Sequence, residues 1–276
     1  MNTAAAATMA TGWQARLEVG FALRSGRTAL VHRQQRGPLA VQRPFYPEGD
    51  TCHLYLLHPP GGVVGGDSLH IQADVAEGAH GLVTTPGATK FYLSAGECAQ
   101  QVQTLRVAAG AALEWLPQEN IFFPGAIGKL KTRIELSHGA RFMGWETQCL
   151  GLPVNGARFD SGRVEFQLQI EYDGKPLLLE RLTVTPERLH GAAGLRGLPV
   201  NATLVATPVG EAQLELVREL LADIPNAGVT LMDGLLVVRY LSDSTEQSRN
   251  LFIAIWATIR PAVIGRTPCP PRIWST

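Results

Sequence analysis

The chain has 276 residues, 45% of them apolar, so it can bury a substantial core as one large domain or two small ones. Its 24 lysines and arginines balance 24 aspartates and glutamates, and no basic cluster marks a nucleic-acid face. Zero formal charge gives little repulsion between copies, which fits a surface that a partner covers.

In chain order, residues 1–11 are alanine-rich with no positive charge ahead of them, unlike a secretory signal, and are expected to form a loose tail. Residues 13–23 and 28–32 form a predicted hairpin across Ser25-Gly26, and residues 52–58 alternate as a strand. A loop with four glycines in ten positions follows, from His58 to Asp67. Gly61 and Gly66 have the spacing of a phosphate loop, but Asp67 and Ser68 stand where Lys and Ser/Thr are required. A carboxylate there repels a nucleotide. The loop reads as tightly folded backbone carrying a buried or half-buried carboxylate, or as a simple turn between strands.

Three stretches then repeat, each an alternating strand, a tight glycine turn and a second strand. The strands are 69–75 with 81–85, 102–107 with 112–116, and 130–136 with 141–147. Their turn glycines, Gly78, Gly110 and Gly139, lie 32 and 29 residues apart. A period near 30 without intervening helices points to stacked β structure and away from βαβ units. Residues 163–172 and 176–184 pair across Asp173-Gly174. Beyond residue 206 the pattern changes. Thr207 and Pro208 are expected to open a helix whose apolar face carries Leu214, Val217, Leu221 and Ile224. Residues 229–240 form a hairpin over Asp233-Gly234. Ser244 with Gln247 caps a second helix through Leu251, Ile255 and Ile259, expected to end near Pro261. The fold class is mainly β: a stacked, β-helix-like arrangement of strand pairs with a small C-terminal α+β portion containing two helices. Residues 12–206 form the β-repeat body, and residues 207–276 pack on it as part of one domain.

Chemistry-bearing residues are sparse. The four cysteines are far apart, which fits reduced thiols in a cytosolic protein. The apolar run 251–264 is too short to cross a bilayer. None of the seven histidines shows ligand spacing, although His80 and His138 both neighbour repeat turns that stacking brings together. Carboxylates are more suggestive: Asp67, Glu114, Glu119, Glu146 and Glu180. Glu180 lies in the apolar run Leu177 to Leu182, so it needs a partner, a polar interior or an exposed edge. Carboxylates inside a β body suit a hard or borderline cation in passage better than a tightly held soft metal.

Four motifs carry a resemblance: Leu57 to Asp67, Thr84 to Tyr92, Trp115 to Ala126, and Pro271 to Trp274. In this order they resemble the urease accessory protein UreD (UreH) family over essentially the whole chain. The resemblance implies a non-enzymatic scaffold in a cytoplasmic complex. It implies binding to urease apoprotein and to UreF, and through UreF to the GTPase UreG. It also implies a nickel-insertion role, with no tightly bound cofactor but with transient Ni2+ in an internal, water-filled passage. Asp67, Thr89, Glu146 and Glu180 are the expected lining. Arg272 and Trp274 are candidates for the UreF-facing side, although those traits also suit a tail docked on its own domain. The competing readings are a purely structural β-repeat binding module and a metal-dependent hydrolase built on the histidines and carboxylates.

Overall fold

The computed structural model describes residues 12–275; the tail expected at residues 1–11 lies outside them. The strands are β1 (Gln14–Arg24), β2 (Arg27–Arg36), β3 (Ala40–Val41), β4 (Cys52–Leu57), β5 (Ser68–Val75), β6 (His80–Thr84), β7 (Thr89–Phe91), β8 (Ala99–Val107) and β9 (Ala112–Leu116). They continue as β10 (Asn120–Phe122), β11 (Ile127–Leu136), β12 (Arg141–Leu152), β13 (Ala157–Arg158), β14 (Arg163–Tyr172), β15 (Lys175–Val184), β16 (Val200–Thr207), β17 (Ala227–Met232) and β18 (Leu235–Ser242). The helices are α1 (Pro186–Leu189), α2 (Glu211–Leu221) and α3 (Thr245–Val263).

The three glycine units are coils of a solenoid. Gly78, Gly110 and Gly139 adopt φ of 69°, 64° and 70°, a region that glycine enters without steric cost. Each turn carries the chain from one sheet to the other. Thus β5, β8 and β11 stack in parallel in the first sheet, while β6, β9 and β12 stack in parallel in the second. Successive turns are laddered too: Ala112 N–H donates to the Ala79 carbonyl and Arg141 N–H to that of Ala111, both at 2.9 Å. The stacked β architecture expected from the period is therefore present.

The first sheet has the order β15-β14-β11-β8-β5-β1-β2, with a parallel centre and antiparallel edges. The second runs β17-β18-β16-β12-β9-β6-β4-β3, with β7, β10 and β13 attached. First-sheet strands alternate buried and solvated residues, as β11 does throughout its length. In contrast β6 and β9 are buried at every position, because the second sheet is covered on both faces. One face packs on the first sheet through Val83, Leu113, Trp115 and Phe142. The other packs on the helices through Leu82, Leu116, Met143 and Trp145, against Phe252, Ile255 and Ile259 of α3. The layers are sheet, sheet, helix, with a small helical portion at the C-terminal end. The second sheet passes without a break from β12 through β16 to β18.

Three glycine turns, at Ser25-Gly26, Asp173-Gly174 and Asp233-Gly234, close the expected hairpins. Ser244 caps α3 as expected, accepting from the Gln247 N–H. One helix boundary differs. Thr207 does not cap a helix; it pairs with Phe142 as the last residue of β16, and α2 starts at Glu211 behind Gly210. The sheet ladder outcompetes the local cap signal. Leu214, Val217 and Leu221 do form the buried face of α2, whereas Ile224 lies beyond it. α3 ends at Val263, near Pro261 as expected. Burial of Trp256, Ile259, Arg260 and Val263 on one face holds the last turn despite the missing proline donor.

Candidate functional site

Between the sheets the core is not wholly apolar. Gln101 and Gln103 of β8 share their parity with Leu105 and Val107, so they point inward and are buried. Thr132 does the same between Leu130 and Ile134 of β11. Glu146 of β12 faces them from the second sheet, while its neighbour Trp145 faces the helices. A relay results: Gln103 Nε2 donates to Thr132 Oγ1 at 3.3 Å, and Thr132 donates its hydroxyl to Glu146 Oε1. Burial pushes the Glu146 carboxyl up to about 7; the Thr132 hydrogen bond opposes this and the charge of Glu180 adds to it.

Glu146 borders two cavities. One, of about 420 Å³, runs from the His58–Gly62 and Thr85–Lys90 loops past Gln101, Gln103 and Asn120 to Glu146. The other, of about 910 Å³, starts at Glu146 and Gln148 and opens between Glu180, Arg239 and residues 192–196. The glycine loop builds the first mouth. A Cβ on Gly62 would lie 2.4 Å from Tyr92 Cε2, so only glycine lets this strand of the mouth approach its neighbour. His58, half-buried beside the same cavity, has its pKa lowered by burial against the opposing charge of Asp67. The shift favours the neutral imidazole.

Of the four expected lining residues the structure assembles three. Thr89 lines the first cavity, Glu146 both, and Glu180 the second. Glu180 faces inward with Leu178 and Leu182, and its partner is Arg239 of the opposite sheet. Asp67 does not join them. Its Oδ1 accepts from Trp13 N–H at 2.7 Å and its Oδ2 from Val64 N–H at 3.0 Å, and it borders neither cavity. It staples the glycine loop to the start of β1, in keeping with a tight loop around a buried carboxylate. That loop runs into a strand, β5, so no helix N-terminus stands behind it to receive a phosphate.

Trp274 is docked on its own chain. Its ring lies 5.6 Å from both Trp145 and Trp256, and its N–H donates to Thr84 Oγ1 at 3.2 Å. Arg272, two residues earlier, is exposed. Stacking does not unite His80 and His138: His80 starts β6 beside Thr51 and Glu114, whereas His138 sits in an exposed turn near Tyr172.

A second polar cluster, on the helix side of the same sheet, escaped the sequence reading. Arg260 of α3 is fully buried and binds two carboxylates. Its Nε and Nη2 reach Glu114 at 2.9 and 2.8 Å, and its Nη1 and Nη2 reach Glu48 at 2.6 and 2.8 Å. Trp256 Nε1 donates to Glu114 Oε2 at 2.6 Å, His80 Nε2 lies 2.8 Å from Glu114 Oε1, and His53 Nε2 lies 2.6 Å from Glu48 Oε1. Burial alone would raise both carboxyls. Hydrogen bonds from the histidines and Arg260 outweigh it, holding Glu114 below its ordinary value and Glu48 at about 2. Glu114 was visible as a charge inside an apolar strand, but its partner lies 146 residues away. For the inter-sheet layer a usable signal existed: Gln101, Gln103 and Thr132 occupy core-facing parity in their strands.

Fold and site together define a coiled β scaffold whose mainly apolar core is broken by cavities that polar side chains border. The family described as UreD urease accessory protein matches residues 14–275. The chain is 50% identical over 274 residues to a urease accessory protein UreD from Alcanivorax borkumensis, covering 96% of this chain and 93% of that protein. Its identity to the UreD of Pseudomonas entomophila is 48% over 267 residues, covering 96% and 95%. To that of Vibrio parahaemolyticus it is 47% over 273 residues, covering 96% and 97%. The chain belongs to the UreD urease accessory protein family.

Proposed function

We propose that this chain is a cytoplasmic scaffold and nickel-insertion chaperone that joins urease apoprotein to UreF, and through UreF to UreG, and passes Ni2+ through its own interior. The observation that carries this reading is Glu146, one carboxylate bordering both cavities among the buried polar side chains between the sheets. Nickel is cargo here. Among the described residues no three His, Cys, Asp or Glu side chains converge on one metal position. Instead His58, Thr89, Gln101 and Gln103 border the first cavity, Glu180 the second and Glu146 both. Weak donors in series let an ion advance, whereas a closed four-ligand site would hold it. An incoming divalent cation displaces the proton that Glu146 carries near neutral pH.

The test is the Glu146→Gln, Glu180→Gln variant, which removes two charges with little change of volume. The variant is expected to copurify with UreF and urease at wild-type yield, while nickel per urease active site falls several-fold. Wild-type nickel loading in the intact complex would refute the passage role. Wild-type loading would also favour the purely structural binding module, in which the interior is only a packing feature.

A further inference from the structure

The first sheet ends in two edge strands that are treated differently. At β15, Pro176 removes one ladder donor and Arg181 is bound to Glu165, devices that blunt an edge. Strand β2 has no proline between Arg27 and Arg36. Its outer edge is used at Thr28, whose N–H donates to the Asp50 carbonyl at 2.9 Å, and at Leu30, whose backbone meets the Cys52 sulfur. From Val31 to Arg36 every residue is exposed, and among the described residues no strand pairs with that outer side.

Charge says what fits there. Residues 24–43 contain five arginines, a histidine and no carboxylate. They are spaced too widely to read as a basic cluster; the edge strand gathers them. Arg33 and Arg36 have no ion-pair partner among the described residues, and Arg36 aligns with Arg16 of β1. Glu18, the carboxylate nearest in register, already serves Arg16 and His32. Residues 1–11 contain no acidic side chain that could answer them. A second copy of this edge is disfavoured as well. Val31 to Arg36 holds no acid, so no register of β2 against β2 yields an opposite-charge pair.

We infer that the outer edge of β2, from Val31 to Arg36, is a docking strand for an extended acidic segment of a partner protein. The segment adds to the first sheet by backbone hydrogen bonds and reads Arg33 and Arg36 on its two faces. This surface lies outside both cavities and does not depend on nickel passage.

The probe is acetyl-Thr-Glu-Val-Thr-Glu-Val-Thr-amide, whose two glutamates are three residues apart and so match Arg33 and Arg36 on opposite faces. Its control carries lysine for both glutamates. The full chain is titrated with each, with hydrogen exchange read over residues 31–36. The acidic peptide is expected to slow exchange there and the lysine peptide to leave it unchanged. Arg33→Glu with Arg36→Glu keeps the edge charged against self-pairing. It should weaken the acidic peptide about tenfold, two exposed ion pairs becoming repulsions, and should accept the lysine peptide. Arg33→Lys with Arg36→Lys should retain acidic binding. Absence of protection by the acidic peptide, equal protection by both peptides, or indifference to charge reversal would each overturn the assignment and leave the arginines as guards against aggregation.

Discussion

The two faces of the second sheet solve the problem of a buried carboxylate in opposite ways. On the helix side, Glu114 and Glu48 are met by hydrogen bonds from Arg260, Trp256 and two histidines, which hold both carboxyls below their ordinary values. On the inter-sheet side, Glu146 has one hydroxyl donor, a distant like charge and two cavities, and its carboxyl is held near its neutral form. Carboxylates met on this scale fix structure. An unsatisfied one beside open space retains the capacity to bind. Full pairing also explains why Arg260 tolerates complete burial, which an isolated guanidinium would not.

Breaking the closed cluster should have the largest effect. Arg260→Ala leaves Glu114 and Glu48 buried without their cation and removes the main polar tie of α3 to the sheets. A loss of about 3–5 kcal/mol is expected, read as a lower midpoint in urea unfolding. The partner experiment sharpens it: Arg260→Met with Glu114→Gln removes both charges and should recover part of that loss. A change below about 1 kcal/mol in the single variant would mean that the cluster does not hold the helix layer.

The open side should respond to pH with the opposite sign. Glu146 is raised from its ordinary 4.5 to about 7, so the folded chain keeps a proton that the unfolded chain has lost between those values. Its contribution to stability is complete below 4.5 and disappears as pH rises through 7. Glu48, held at about 2, behaves conversely: its contribution is present above 4.5 and is lost as pH falls through 2. Glu146→Gln should therefore flatten the decline between pH 4.5 and 7. It should also leave the variant more stable than wild type at pH 7.5 by about 1–3 kcal/mol, reduced from the full linkage value because the carboxyl touches the cavities. A wild-type pH profile in the variant would place the Glu146 proton elsewhere.

The same contrast marks what the sequence disclosed. The repeat at Gly78, Gly110 and Gly139 was legible because each turn needs positive φ and the strand before each turn alternates. The hairpins at Asp173-Gly174 and Asp233-Gly234 were legible for the same local reasons. Glu180 stood out because charge in an apolar strand demands an explanation, and Glu146 entered through the family resemblance. What stayed hidden depends on distance. Arg260 lies in an apolar helical run, and only its register in the fold places it over Glu114. Asp67 looked like a lining residue until its backbone partners Trp13 and Val64 were known. Thr207 carried a cap signal that β16 overrode, and Trp274 offered a contact surface that Trp145 and Trp256 had already taken.

The smallest effect should come from Glu180, and it tests whether the two carboxylates share one interior. Glu180 is paired with Arg239 in a partly exposed bridge, so Glu180→Gln should change stability by no more than about 1 kcal/mol. Its charge nevertheless contributes to the raised Glu146 pKa, after burial and against the Thr132 hydrogen bond. Removing it should lower the Glu146 midpoint, since the neighbouring negative charge that opposed ionisation is gone. The expected record is a carboxyl carbon resonance of Glu146 that titrates below 7 in the variant. The upper limit of the pH window in which the chain loses stability should move down with it. Arg239→Gln should act in the reverse direction, because Glu180 then faces Glu146 without its counter-charge. If neither substitution moves the Glu146 midpoint, the two carboxylates are screened from each other, and a cation leaving Glu146 would not sense Glu180 as its next station.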